Sequence, residues 1–547
     1  MSSELENSTA PDCDVIVVGA GFAGIYALWK ARQCGLDVRG FERGSDVGGT
    51  WYWNAYPGAR CDVASYNYAY FFDSEIVRAW DWSDVCAGQN EIQRYLRFVA
   101  ERCDVLGSVT FDTTVVSATY AKETGLWTVR TSNGESTVCR YLVLAVGALS
   151  EPKAPDIEGV DDFAGKAYFT SSWPRDEDVD LKGKRVGVIG TGSSGVQAIP
   201  EIAKVASDVF VFQRTANYVT PTSGGPMDPD IVAALRADPQ AVRSELRETF
   251  GGNQPLYVGE ERFHDLDETG RERALWQAWD AREVPLAFRD AHLPEANAAI
   301  SEFIRKRMHE QVEDPWTADQ IVPWDHPYGG KRPCMSDVYL QTYNLPHVRL
   351  ISLKETPIER IIPEGIVTSA ETIPLDVIVY ATGFDAISGP VRAMNITGID
   401  GVAMNDVWQN GPVNYMGTMV HRFPNLFLPS SAMSPSVLSN MATLAEQQID
   451  FIFDKIMWLE ANGRPGLHPS EESQIHWQKE NLRFAERIPG ALDTDSWYNG
   501  ANVPGKPRQY MVYRGGFKRY HDACYAELES DFPGYELVRK TEANRAS

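Results

Sequence analysis

Short apolar runs that end in glycine recur along the chain, and stretches with helical spacing follow them. Residues 13–19 are rich in β-branched side chains, and residues 21–34 then place apolar side chains at intervals of three and four. Residues 36–42 complete a strand–helix–strand unit. The same order repeats near the middle of the chain, over residues 185–190, 193–203 and 208–213. Two further apolar runs, at 141–147 and 376–383, are expected to return the chain to the two resulting sheets.

These patterns predict an α/β fold with two Rossmann-like dinucleotide-binding domains and a helical insertion in the second. Residues 226–324 carry Ala, Glu, Arg and Leu at helical spacing and form the expected insertion. Both domains are expected to be discontinuous: the first takes residues 1–150 and 390–547, and the second takes 151–225 and 325–390. Beyond Ser530 the chain is mostly polar and is expected to fray.

The first unit carries the glycine pattern of a phosphate-binding turn. Gly19 permits the tight turn, Gly21 lets backbone approach a pyrophosphate, and Gly24 lets helix and strand pack closely. Glu42 ends the next strand, where a carboxylate accepts hydrogen bonds from ribose hydroxyls. The pattern therefore favours a dinucleotide with a free ribose over a glycine-rich turn without a ligand.

The second unit repeats the pattern with one difference in charge. Its turn consists of Gly190, Thr191, Gly192, Ser193, Ser194, Gly195 and Gln197. Gln213 stands in the register of Glu42, and Arg214 follows it. The loss of the carboxylate removes repulsion against a 2′-phosphate, which a guanidinium can bind. This favours NADPH at the second site; the alternative interpretation makes Arg214 a solvated surface charge.

Two different dinucleotides in one chain imply electron transfer between them, because a nicotinamide delivers a hydride and a flavin accepts it. We therefore assign FAD to the first domain and NADPH to the second. The pattern indicates a flavin-dependent oxidoreductase.

Composition narrows the possible partners. The chain has 75 acidic and 51 basic residues, a net charge of −24 that opposes binding to nucleic acid or anionic lipid. Its eight cysteines form no CxxC pair and its nine histidines no metal-ligand spacing, so no metal is expected. Residues 1–8 are polar and no apolar run is long enough to span a membrane, so we expect neither signal peptide nor membrane, and a cytoplasmic protein.

Longer strings resemble the Baeyer–Villiger monooxygenases, a family of class B flavoprotein monooxygenases, over about residues 13–520. They are residues 48–62, 141–150, 328–332, 377–386, 434–441 and 496–506. The resemblance implies that NADPH reduces FAD, that a flavin peroxide forms with dioxygen, and that a ketone becomes an ester or lactone. The motifs do not encode which ketone is used or the oligomeric state.

The resemblance also implies roles for individual residues. Arg332 matches the active-site arginine and Asp62 the carboxylate that positions it; arginine suits the task because it keeps its proton. Implied FAD contacts are Gly49, Thr50, Trp51, Asp62, Tyr68 and Met441. Implied NADP contacts are Thr215, Lys331, Arg332 and Trp497, beside Arg214 and the second turn. The alternatives are a solvated Lys331–Arg332 pair, a core Trp497 and a turn-capping Asp62.

One position departs from the family pattern F-x-G-x-x-x-H-x-x-x-W-P. Here it reads Phe163, Gly165, Phe169, Trp173 and Pro174, so that Phe169 replaces the histidine thought to link domain motion to the linker. Two other functions therefore stay open. One is a monooxygenase of nitrogen or sulfur atoms, and the other is an uncoupled NADPH oxidase or redox-sensing flavoprotein.

Overall fold

The structure, a computed structural model, describes residues 10–222, 224–255 and 257–538. Residues 1–9, on which the signal-peptide prediction depends, and residues 539–547 lie outside this part of the chain. The strands are β1 (Cys13–Val18), β2 (Val38–Phe41), β3 (Val109–Thr110), β4 (Val115–Ala121), β5 (Leu126–Thr131), β6 (Ser136–Leu144), β7 (Lys166–Phe169), β8 (Arg185–Ile189), β9 (Asp208–Gln213), β10 (Val219–Thr220), β11 (Cys334–Met335), β12 (Val348–Ser352), β13 (Ile358–Ile362), β14 (Gly365–Thr368), β15 (Thr372–Pro374), β16 (Val377–Tyr380), β17 (Asn395–Thr397), β18 (Leu426–Phe427), β19 (Leu467–Pro469) and β20 (Tyr535–Leu537).

The helices alternate with these strands in both halves of the chain. They are α1 (Phe22–Gln33), α2 (Thr50–Trp53), α3 (Ser74–Ala79), α4 (Gln89–Arg102), α5 (Ser193–Ala203), α6 (Pro229–Ala237), α7 (Pro239–Glu248), α8 (Glu268–Asp280), α9 (Pro294–His309), α10 (Pro315–Ile321), α11 (Tyr339–Thr342), α12 (Gly389–Arg392), α13 (Met404–Val407), α14 (Met441–Ala461), α15 (Glu471–Ala485) and α16 (Phe517–Glu529). Among the described residues, none of these helices combines the length and the hydropathy needed to cross a membrane.

The first sheet has eight strands with β1 at its centre, paired in parallel with β2 and β6. Val15 and Val17 belong to one core cluster, whereas Ile16 and Val18 belong to another on the opposite face. This explains the unbroken apolar run, because a parallel strand covered on both faces buries every side chain. β17 and β18 follow the second unit in the chain and rejoin this sheet at β4 and β6.

The second sheet has five parallel strands in the order β12–β9–β8–β16–β7. Its centre, β8, corresponds to β1, and β16 lies beside it as β6 lies beside β1. The α/β class and both predicted strand–helix–strand units are thereby confirmed.

The helices of residues 226–324 pack against two different cores. Leu246 of α7 lies in the core of the first sheet, and Leu235 of α6 packs against that core. Helices α8, α9 and α10 contribute to the core of the second sheet instead. The predicted insertion thus contacts both units, although helical spacing alone indicated only that helices form there.

Charged groups fix α7 to the first unit. Arg243 donates hydrogen bonds to Glu446 and Asp450 of α14, and Arg247 donates to Asp450 at 2.7 Å. Burial alone would raise the pKa of Asp450, but the nearby cations Arg243, Lys30 and Arg247 outweigh it and lower the pKa to about 2. Both pairs are spaced by four residues on a helix, so one face of α7 meets one face of α14.

The prediction that the chain frays beyond Ser530 is wrong for residues 531–538. β20 pairs antiparallel with β19, and Phe532 packs in a core cluster with Tyr535 against it. The packing of these two aromatic side chains stabilises the segment, although most of its residues are polar. Residues 539–547 lie outside the described part of the chain.

Lys455 is a fully buried cation in α14. Its Nζ lies 3.3 Å from the ring centre of Phe451 and 5.0 Å from that of Tyr535, without a hydrogen-bond acceptor among the described residues. Burial lowers the pKa of this amine to about 7, and the ring faces compensate only in part for lost hydration.

We expect the Lys455→Met variant to be more stable than the wild type, by about 2–4 kcal/mol near pH 6. Below pH 7 the folded protein must hold a desolvated charge, whereas above it the amine is neutral. The gain should therefore shrink as the pH rises from 7 towards 10. Thermal unfolding across this range measures it, with the exposed Lys479→Met as the matched control. A stability difference that does not change with pH would contradict this prediction.

Candidate functional site

One cavity of about 990 Å³ is lined by both glycine turns. Among the residues predicted from sequence, twenty line it: Gly19, Gly21, Glu42, Gly49, Thr50, Trp51, Asp62, Tyr68, Met441, Gly190, Thr191, Gly192, Ser193, Ser194, Gln197, Arg214, Thr215, Lys331, Arg332 and Trp497. Gly24 and Gly195 do not line it. The structure therefore brings together groups that are up to several hundred residues apart in the sequence.

Gly24 and Gly195 serve the packing role that the sequence assigned to them. A Cβ at Gly24 would lie 1.9 Å from the carbonyl oxygen of Gly19, and one at Gly195 would lie 2.2 Å from that of Gly190. Any side chain here would separate the helix from its strand. These two residues shape the turns from behind and do not face the cavity.

The first glycine of each turn has a conformation that disfavours other residues. Gly19 has φ +97° and Gly190 has φ +112°. Their Cβ atoms would lie 2.5 Å from the Ala145 oxygen and 2.4 Å from the Ala381 oxygen. A Cβ at Gly192, by contrast, would meet no atom within 4 Å, so space is open in front of the second turn. With the N-termini of α1 and α5 beside them, both turns fit a pyrophosphate.

The two strand ends differ in charge, as the register comparison predicts. The Glu42 carboxylate accepts hydrogen bonds from the Ala20 and Gly44 amides, each at 2.7 Å, and burial raises its pKa against these donors. Gln213 ends β9 in the equivalent place, but its side chain donates to the Gln320 carbonyl at 2.7 Å and does not line the cavity. The second site thus lacks a carboxylate at this position.

Three cations surround the end of the cavity near the second turn. Arg214, Lys331 and Lys153 line it, and among the described residues no ion pair joins any of them to a carboxylate. Burial lowers the pKa of both Lys153 and Lys331, and the charge of Arg214 lowers each further. Mutual repulsion of this kind is relieved by a dianion, so the cluster fits a phosphate.

Arg332 and Asp62 form an ion pair in the same cavity. The guanidinium donates through Nε (3.2 Å) and Nη2 to Oδ2 of Asp62, and through Nη1 (2.6 Å) to the carbonyl of Val437. Each of the paired side chains is 28% exposed. The negative charge of Asp62 raises the pKa of Arg332 well above its ordinary value, so the guanidinium stays charged at any working pH.

The walls near the first turn are aromatic. Trp51 donates from its indole nitrogen to the Tyr68 hydroxyl at 3.1 Å, and the rings meet edge to face with centres 5.9 Å apart. Met441 opens α14, whose N-terminus is capped by the Asn440 side chain. Flat apolar surfaces and a helix N-terminus suit a planar ring system that carries partial negative charge.

Gln197 and Trp497 lie near the second turn. Gln197 accepts a hydrogen bond from the Tyr56 hydroxyl at 2.8 Å and donates to the Arg60 carbonyl at 3.0 Å, which joins α5 to the first unit. Trp497 begins a short 3₁₀ turn, Trp497–Asn499, and its ring lies 4.5 Å from that of Tyr498. Trp497 is partly buried: it lines the cavity and also packs against a core cluster.

Phe169 does not line the cavity. It ends β7, and its ring stacks on Tyr380 of the neighbouring strand with centres 4.8 Å apart. The side chain packs against the core cluster that one face of the second sheet forms with β13, β14 and β15.

Sequence reasoning missed three groups near Arg332 and the cations. Lys153 follows the strand β6 within a proline-rich stretch, and nothing in its spacing indicates that it faces the cavity. Tyr498 is buried close to Arg332, whose positive charge opposes the rise in the Tyr498 pKa that burial causes. Val437 contributes a backbone carbonyl, which no side-chain pattern can reveal.

Known proteins resemble this chain over nearly its whole length. The flavin-binding monooxygenase-like family matches residues 12–235. A Baeyer–Villiger monooxygenase of Pseudooceanicola batsensis is 37% identical over 100% of both chains. The phenazine N-monooxygenase PhzNO1 of Lysobacter antibioticus is 36% identical over 96% of this chain and 97% of its own.

A solved structure shows the same architecture. The crystal structure of OTEMO in complex with FAD and NADP superimposes with a TM-score of 0.92 at 36% identity, covering 96% of this chain and 100% of that one. At this level of identity and coverage, the likeness shows both the fold and the family of this chain. The chain belongs to the Baeyer–Villiger monooxygenases, within the flavin-binding monooxygenase-like family.

Proposed function

We propose that this enzyme uses FAD, NADPH and dioxygen to convert a ketone into an ester or lactone. The observation that carries the proposal is the Arg332–Asp62 pair in the cavity that both glycine turns line. FAD and NADPH, when bound, supply the activation of dioxygen. The protein must then stabilise negative charge on the reacting oxygens, which a permanent cation in a partly dry site does well.

Arg332 is the residue we propose for this task. Three of its five N–H groups are engaged by Asp62 and the Val437 carbonyl. At least one N–H remains for an oxygen of the substrate. Asp62 holds the guanidinium plane in place and does not itself need to transfer a proton.

We assign the remaining positions by the chemistry that each offers. The first turn with Glu42 suits the pyrophosphate and adenosine ribose of FAD, and Trp51, Tyr68 and Met441 suit its ring system. The second turn suits NADPH, with Arg214, Lys331 and Lys153 at its 2′-phosphate. Trp497 would bound the nicotinamide side of the cavity. A cytoplasmic location, which we also propose, agrees with the eight cysteines all being free thiols.

Oxidation of a ring nitrogen is the second candidate function, because one relative, 36% identical to this chain, is named as a phenazine N-monooxygenase. Both reactions use the same cofactors, and they differ in whether an oxyanion forms on a substrate carbonyl. The Arg332–Asp62 pair favours the ketone reaction, since a fixed positive charge has its largest effect on such an oxyanion.

The purified protein should consume NADPH faster with a cyclic ketone such as cyclohexanone, and mass analysis should find a product heavier by one oxygen. Turnover that no ketone stimulates and that yields only hydrogen peroxide would refute the proposal. Stimulation by phenazine, but by no ketone, would support the second candidate.

Replacing Arg332 by alanine should lower ester formation by about 100- to 1000-fold, because the charge that stabilises the oxyanion is lost. Bound flavin, measured by its absorbance per protein, should be retained. The matched control is Arg349→Ala. It removes an exposed arginine of β12 that forms an ion pair with Glu371, and it should keep full activity. Ester formation near the wild-type rate in the Arg332 variant would exclude the proposed role.

Arg214→Ala and Lys331→Ala should each raise the KM for NADPH by about 10- to 100-fold, since each removes a charge-assisted contact to the 2′-phosphate. The KM for NADH, which lacks that phosphate, should change by less than about threefold on the same argument. Steady-state kinetics with both nucleotides measures the difference. Lys204→Ala, at the far end of α5, is the control. An equal loss with both nucleotides would show that these cations do not select the phosphate.

A further inference from the structure

Three groups from distant parts of the chain meet at the two-stranded antiparallel sheet of β19 and β20, away from the cavity. His468 of β19 is the register partner of Glu536 on β20, and His421 lies beside them. One ring nitrogen of each histidine and a carboxylate oxygen of Glu536 all lie within 4.8 Å of one another. We propose that these three residues bind a divalent transition-metal ion of the Zn²⁺ type.

The chemistry of the three groups suits such an ion. Imidazole nitrogen and carboxylate oxygen are both zinc ligands, and two histidines with one carboxylate leave a fourth position for water. Neither histidine forms an ion pair, and no lysine or arginine among the described residues forms an ion pair with Glu536. A cation between the rings would thus be the only charge partner of this carboxylate within the described structure.

A backbone carbonyl orients both rings. The oxygen of Pro469 lies 2.9 Å from Nδ1 of His421 and 3.0 Å from Nδ1 of His468. The Arg422 amide also donates to the same His468 nitrogen, but at 3.4 Å. Because the contacts to the Pro469 carbonyl are shorter, we assign the proton to Nδ1 of both rings. Metal-bound histidines characteristically donate one ring N–H to a carbonyl in this way, which leaves Nε2 as the ligating atom.

The spacing requires a small closure. Zinc bonds of about 2.0–2.1 Å in a tetrahedral site hold ligand atoms about 3.3 Å apart. Glu536 is exposed and His421 is half-buried, so these two side chains can supply the movement by small rotamer changes, whereas His468 is buried and fixed. The ion would tie β20, near the end of the described chain, to the segment that carries His421.

The test is a titration of the flavin-loaded, EDTA-treated protein with Zn²⁺ by calorimetry. We expect one ion per chain with a micromolar Kd and a higher Tm in its presence. Glu536→Gln, an exposed and isosteric change, should weaken binding tenfold or more, and His421→Ala should abolish it. His476→Ala, which removes an exposed histidine from α15, is the matched control and should bind as the wild type does.

Two results would overturn the proposal. One is the absence of saturable binding in the micromolar range, which would mean that the three residues only pack the two-stranded sheet of β19 and β20. The other is equal binding by the wild type, Glu536→Gln and His421→Ala, which would place the ion elsewhere, for example on free thiols. Flavin content and unfolding temperature of the metal-free variants confirm that each variant is folded.

Discussion

The ion pair between Arg332 and Asp62 is the contact on which the site depends, because it joins segments of both nucleotide units. Asp62 follows the first unit, Arg332 follows the helices of residues 226–324, and the carbonyl of Val437 precedes α14. The position of the Arg332 guanidinium therefore depends on the positions of all three segments, because its partners Asp62 and Val437 belong to two segments other than its own. The cation is thereby fixed within a protein whose net charge is −24, and a preorganised charge of this kind costs no reorganisation when negative charge develops.

Other contacts set the distance between the two units. A Cβ at Gly58 would lie 2.4 Å from the backbone oxygen of Gln197, so the first unit touches α5 directly. Arg243 fixes α7 to the carboxylates of α14, while α8–α10 belong to the core of the second sheet. The helices between residues 226 and 324 therefore contact both units. The segment that follows the last of these helices places Arg332 close to the carboxylate of Asp62.

The sequence predicted the features that depend on the spacing of residues near one another in the chain. The glycines, the strand ends and the exchange of Glu42 for Gln213 follow from spacing, because a turn between strand and helix needs the same geometry wherever it occurs. The side-chain direction of Gln213, the approach of Lys153 and the carbonyl of Val437 depend on tertiary packing, which has no local signal. The same holds for His421, His468 and Glu536, whose spacing in sequence is unlike that of any metal motif. The polar composition of the segment that contains β20 led to the wrong prediction that it frays. Phe532 and Tyr535 pack against a core cluster and hold this segment in place.

A double-mutant cycle on Asp62 and Arg332 tests most directly whether the pair acts as one unit. The measurement is kcat/KM for ketone oxygenation in the wild type, Asp62→Asn, Arg332→Ala and the double variant, each with its flavin content verified. If Asp62 acts only by positioning Arg332, the double variant should be within about threefold of Arg332→Ala. Losses that multiply, so that removing Asp62 costs as much without Arg332 as with it, would contradict this account.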